Sequence, residues 1–132
     1  VNNKKLGDNF ETLFSEMLAE RGFWVHLLKQ NNHGQPADLI AVRNNTSYLI
    51  DCKTCSARGF NLVRLEENQQ LAMTRWKECG NKECWFALQL GEQVYMIPHK
   101  VIEMYSHQQS KLSPSEIFSV GKPFEKWVIK CR

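Results

Sequence analysis

The sequence predicts an α/β fold in which a central mixed sheet is flanked by helices. Three observations carry this. Residues 8–21 repeat apolar side chains at helical spacing, residues 38–54 hold two apolar runs about a tight-turn signal, and a second helix-plus-hairpin pattern follows at 66–98. The predicted order is helix, three strands, helix, two strands, which suits a sheet covered by helices.

The first helix rests on Leu6, Phe10, Leu13, Phe14, Met17 and Leu18, with Asp8 as N-cap and Gly22 as stop. Residues 23–28 read as a strand and polar 29–35 as a loop. Asn44-Asn45 tolerates the positive φ of a two-residue hairpin between strands at 38–43 and 47–54. Residues 55–64 read as a loop, and 66–79 as a helix with Leu65, Ala72, Met73 and Trp76 towards the core and Gly80 ending it. Strands at 84–90 and 93–98 turn about Gly91-Glu92, residues 99–105 form a short helix, and 127–131 read as an edge strand. Disorder is expected only at the first residues and near 106–115.

A chain of 132 residues with 42% hydrophobic residues and no low-complexity tract is expected to form a single domain, with a core at about 7–98 and an extension at 99–132. It lacks the ~18 uninterrupted apolar residues of a membrane span and an apolar leader, so a cytoplasmic protein with no membrane partner is expected. An odd count of five cysteines suits reduced thiols. Cys52-x-x-Cys55 with Cys79 and Cys84 suggests zinc, but Cys52 should point into the core, and buried free thiols are the simpler reading. A net charge of +3 permits a nucleic-acid partner without demanding one.

The chemistry concentrates at Gly34-Gln35-Pro36-Ala37-Asp38 and Asp51-Cys52-Lys53. With Asn44-Asn45 as turn residues, counting outward sets Asp38 opposite Asp51, and alternation turns Lys53 to the same side. Facing carboxylates destabilise a hairpin unless a cation lies between them. Mg²⁺ prefers such oxygens, can lower the pKa of bound water and can polarise a phosphoryl group.

Pro36-x-Asp38, a short hairpin and Asp51-x-Lys53 resemble the PD-(D/E)xK nuclease motif, and the order of elements is similar to that superfamily's restriction-endonuclease-like core. Within it the chain most resembles Holliday junction resolvases of the archaeal and RecU types, over residues 7–97. The resemblance aligns Glu11 with their helix-borne glutamate and Gln69 with the glutamine after their lysine, although Asn68-Gln69-Gln70 leaves that register open by one residue. Asp51 stands where these resolvases more often carry Glu, and the chain is shorter than RecU-type proteins.

The resemblance implies a homodimeric, Mg²⁺-dependent endonuclease, Mn²⁺ substituting, that resolves four-way DNA junctions. Asp38, Asp51 and Glu11 would hold metal, with Lys53 and Gln69 assisting catalysis. The alternatives are another nuclease of the superfamily, such as a restriction, repair or packaging enzyme, and a non-catalytic DNA-binding module on the same fold. Glu11 has a rival reading as the partner of Asp8 in a capping box. Arg58, Arg64, His33 and Gln35 flank the acids and are candidate DNA contacts. Arg43 reads as a solubilising charge, His99 as structural or exposed, and Trp24, Trp76, Trp85 and Trp127 as core.

Overall fold

A computed structural model describes residues 3–29 and 34–131, with side chains from residue 9 onward. Helix α1 (Asn3–Glu20) ends where Gly22, at φ +86°, donates to the Ala19 carbonyl and Phe23 donates to that of Leu18. This paired C-terminal closure needs a residue at positive φ, and glycine supplies it without a Cβ clash. The chain then forms β1 (Trp24–Leu27), β2 (Leu39–Arg43) and β3 (Thr46–Thr54). Asn44 and Asn45 adopt φ of 52° and 64°, the turn expected, and Arg43 pairs with Thr46, Ala41 with Tyr48 and Leu39 with Ile50.

Beyond β3 come β4 (Phe60–Asn61), a 3₁₀ turn (Leu62–Arg64), α2 (Glu67–Glu78), β5 (Trp85–Leu90), β6 (Gln93–Pro98) and α3 (His99–Ser106). The chain closes with β7 (Lys111–Leu112), α4 (Pro114–Val120), β8 (Lys122–Pro123) and α5 (Phe124–Lys130). The main sheet has the order β1-β2-β3-β5-β6-β8; β3 and β5 run parallel and the other neighbours antiparallel. Helix α2 is the crossover that a parallel pair requires.

Both faces of β3 are buried, which explains its nearly unbroken apolar run. On one face Ile50 and Cys52 join Phe10, Phe14 and Leu18 of α1 with Phe124, Trp127 and Val128 of α5. On the other, Leu49 and Phe86 pack with Met73 of α2, Ile102 of α3 and Ile117 of α4. Each large side chain so buried contributes about 1.5–3 kcal/mol.

Four readings are corrected. First, α1 spans Asn3–Glu20, so Asp8 lies within the helix and not at its N-cap position; the capping box with Glu11 falls with it. Second, residues 127–130 belong to a helix that Cys131 closes, because Phe124, Trp127 and Val128 recur at helical spacing and all three are buried. The edge strand is β8, where Pro123 suits a position with no outer partner.

Third, residues 106–115 are ordered. Lys111 and Leu112 pair with Asn61 and Phe60, and Ser113 with Glu116 forms a capping box on α4. The 55–64 stretch is held by the same ribbon. Fourth, Trp24 is 62% exposed on edge strand β1, stacked on His26, whereas Trp127 is core and Trp76 and Trp85 are half-buried.

Arg43 also departs from its reading. Its guanidinium donates to the carbonyls of Arg21, Val128 and Cys131 at 2.8, 2.6 and 2.7 Å, and it lies 4.3 Å above the Phe23 ring. It ties the end of α5 to the turn after α1, where carbonyls lack helical partners.

Candidate active site

β2 and β3 part just beyond Leu39 and Ile50, and the acids sit at this fork. The Asp38 amide donates to Ile50 O, and the Asp38 carboxylate, through Oδ2, accepts from the Cys52 amide at 2.6 Å. The side chain thus substitutes for a ladder carbonyl, which fixes its position. Asp51 lies on the α2 side of β3, flanked by Leu49 and Lys53 on the same face, while Cys52 points to the α1 side.

Asp51 is bracketed on both oxygens. Gln69 Nε2 of α2 donates to Oδ1 at 3.1 Å, and Lys53 Nζ lies 3.2 Å from Oδ2. The Lys53 contact is an ion pair without hydrogen-bond alignment, for Oδ2 and Gln69 Oε1 are both buried without hydrogen-bond partners. Asp38 is 6% and Asp51 0% exposed.

Burial dominates the electrostatics. It pushes Asp38 up to about 6, the Glu11 carboxylate adding to the rise, while the Cys52 amide and Lys53 oppose it. Burial and then the neighbouring Asp38 charge push Asp51 up as well, while Lys53 opposes the rise. Two acids forced together are unfavourable by themselves. The orphaned Asp51 Oδ2 and Gln69 Oε1 and the all-oxygen donor set fit a hard divalent cation.

The predicted residues converge in part. Asp38, Asp51, Lys53 and Gln69 meet, and the open glutamine register resolves: Gln69 faces Asp51, whereas Gln70 Oε1 lies 2.8 Å from His99 Nε2. Glu11 comes from α1 on the opposite face and acts on Asp38 through its charge. Among the described residues no three His, Cys, Asp or Glu side chains form a group that could hold a metal ion.

Arg64 Nη1 donates to Thr54 O at 2.9 Å with its guanidinium 5.6 Å from the Phe60 ring, and Arg58 is exposed in the turn before β4. Gln35 donates to Lys29 O and closes its own loop. His33 lies outside the described residues. The zinc candidates are apart: Cys52 and Cys84 are buried in different cores and Cys79 is exposed. His99, read from the sequence as structural or exposed, is buried at 5% exposure.

The mixed sheet has the parallel crossover, and the fork the Asp, Asp-x-Lys set, that the restriction-endonuclease-like resemblance implies. The sequence model of the archaeal Holliday junction resolvase (hjc) family matches residues 2–124, and the chain belongs to that family. It is therefore a structure-selective, junction-resolving nuclease that acts on branched DNA, of a class that is generally metal-dependent. The fold is similar to that of the solved Holliday junction resolvase Hjc from the archaeal hyperthermophile Archaeoglobus fulgidus. The TM-score is 0.70 at 18% identity, over 92% of this chain and 99% of that one. None of the curated proteins matches this chain. No helix among the described residues is long and apolar enough to cross a membrane.

Proposed function

We propose that the protein resolves four-way DNA junctions by Mg²⁺-dependent hydrolysis at the fork of β2 and β3, with Asp38 and Asp51 holding the ion. The observation that carries this is the meeting of two buried carboxyls, one of them, Asp51, contacted by both Lys53 and Gln69. A bound ion would supply positive charge against a phosphoryl oxygen and a lowered pKa for water. Mn²⁺, also an oxygen-seeking ion, would substitute.

Each residue then has a stated task. Lys53, the group leading out to solvent at 16% side-chain exposure, neutralises charge on the phosphate as the attacking oxygen bonds to phosphorus and the opposite bridging P–O bond breaks. Gln69 holds Asp51 through its amide nitrogen and has a free carbonyl oxygen to accept from water. Glu11 adds negative charge beside Asp38, favouring a cation there. Arg58 and Arg64 contact phosphates flanking the cut, joined by His33 and Gln35 of the loop before Asp38.

The whole chain acts as one nuclease domain, in a homodimer whose two-fold axis pairs two cuts. Exposed Val63 and Met104, on the contacting 3₁₀ turn and α3, offer apolar surface for a second copy. Sedimentation equilibrium reads the dimer; a monomer at micromolar concentration would remove it.

The site is tested with Asp51→Asn on four-way, Y-shaped and linear DNA. Cleavage should be lost while junction binding survives, and cutting at the wild-type rate would sink the metal site.

A further inference from the structure

We propose that His99 is a positioning residue for the nuclease reaction, holding Gln70 and thereby setting the rotation of α2 that delivers Gln69 to Asp51. This rests on the reading of Gln69 given under Proposed function.

The need for such a residue follows from how α2 is held. Its buried side chains are Gln69 and Met73, and its N-cap, Glu66, makes no side-chain capping bond. A helix seated on Met73 and the half-buried Trp76 can still roll. At a helix radius of 5–6 Å, a roll of roughly 20° moves a side-chain tip by about 2 Å. That is enough to break the 3.1 Å contact of Gln69 with Asp51.

Gln69 and Gln70 are successive residues, so they point in different directions around the helix, and fixing one fixes the other. His99 is fixed independently of α2. Its backbone amide donates to Cys84 O at 2.9 Å, and its ring stacks on Phe86 with centroids 6.3 Å apart. Phe86 is the partner of Asp51 in the parallel β3–β5 ladder. The links therefore close a ring: Asp51 to Phe86 through the ladder, Phe86 to His99, His99 to Gln70, and Gln69 back to Asp51.

The tautomer is set by the surroundings. Nε2 faces Gln70 Oε1 at 2.8 Å and Glu103 Oε2 at 3.6 Å, so the proton lies on Nε2 and Gln70 accepts it. Gln70 Nε2, meanwhile, is buried without a partner. A glutamine kept with a stranded donor costs stability. Holding Gln69 in register accounts for a cost that stability does not.

The test is a double-mutant cycle read by single-turnover cleavage of a four-way junction in Mg²⁺, with junction binding measured in EDTA. His99→Ala should slow cleavage roughly ten-fold at unchanged Kd, as supporting residues around active sites do. His99→Gln, whose amide nitrogen reaches the place of Nε2, should recover most of the rate. The pair Gln69→Ala with His99→Ala should cut no slower than Gln69→Ala alone.

Equal slowing by His99→Ala in both backgrounds, or a His99→Gln variant as slow as His99→Ala, overturns the proposal. Gln69→Ala cutting at the wild-type rate instead removes the role of Gln69 itself, and this proposal with it. If His99→Ala does not fold, Gln70→Ala replaces it in the same cycle, with the same expected and refuting results.

Discussion

Removing the charge of Asp38 should stabilise the metal-free protein at neutral pH. In the native state Asp38 sits beside Asp51 and within the field of Glu11, and burial raises it from 3.8 to about 6. The native state therefore binds this proton more tightly than the unfolded chain does. The stability tied to it is fully present below the unfolded value near 4 and is lost as pH rises through the folded value. A rise of about two units corresponds to roughly 3 kcal/mol over that window. Asp51, raised in the same direction, adds a loss of the same sign.

Asp38→Asn keeps an oxygen to accept the Cys52 amide but carries no charge, so it escapes the loss. The assay is urea and thermal unfolding in EDTA at pH 5 and pH 8 for both proteins. The difference between them cancels the titrating groups that do not feel the Asp38 charge; Asp51 does feel it, and its smaller rise in Asp38→Asn widens the gap in the same direction. Asp38→Asn should gain on wild type as pH rises, and Mg²⁺ should narrow the gap at pH 8 by stabilising wild type alone. The gap in melting temperature should be roughly 10 °C at pH 8. A wild-type protein that gains on Asp38→Asn between pH 5 and pH 8 without metal would refute the account of two strained acids awaiting a cation.

Other perturbations separate the remaining parts. Lys53→Ala should lower cleavage by about 10²–10³-fold with little change in junction affinity, read by single-turnover kinetics and titration. Arg43→Ala should cost about 3 kcal/mol in urea unfolding, because it strands three carbonyls at the ends of two helical segments; a change near zero would return Arg43 to a surface charge. Gly59→Ala places a Cβ 2.0 Å from Leu112 O at φ +103°, so it should cost about 2–3 kcal/mol and weaken junction binding by displacing Arg58. Trp24→Ala should leave stability within about 0.5 kcal/mol, since its ring is largely in solvent.

Local rules determined much of this protein. Asn44-Asn45 set the hairpin turn and register, Gly22 ended α1, and alternation along β3 turned Asp51 and Lys53 to one face. These features depend on φ preferences and strand periodicity, which residues carry wherever they lie. The same rules misled at 127–131, where β-rich composition hid the helical spacing of Phe124, Trp127 and Val128.

What only tertiary structure decided involves partners distant in sequence. Whether Gln69 or Gln70 meets Asp51 depends on the roll of α2 against β5 and α3, and no local pattern encodes it. The same holds for Arg43, whose carbonyl partner at Val128 lies 85 residues away, and for the ordering of 106–115, whose strand partners are Phe60 and Asn61. Burial is also a property of the assembled fold. It raises both aspartates above the ordinary carboxylate range, because removing water raises the cost of charge only once both helical layers cover the sheet.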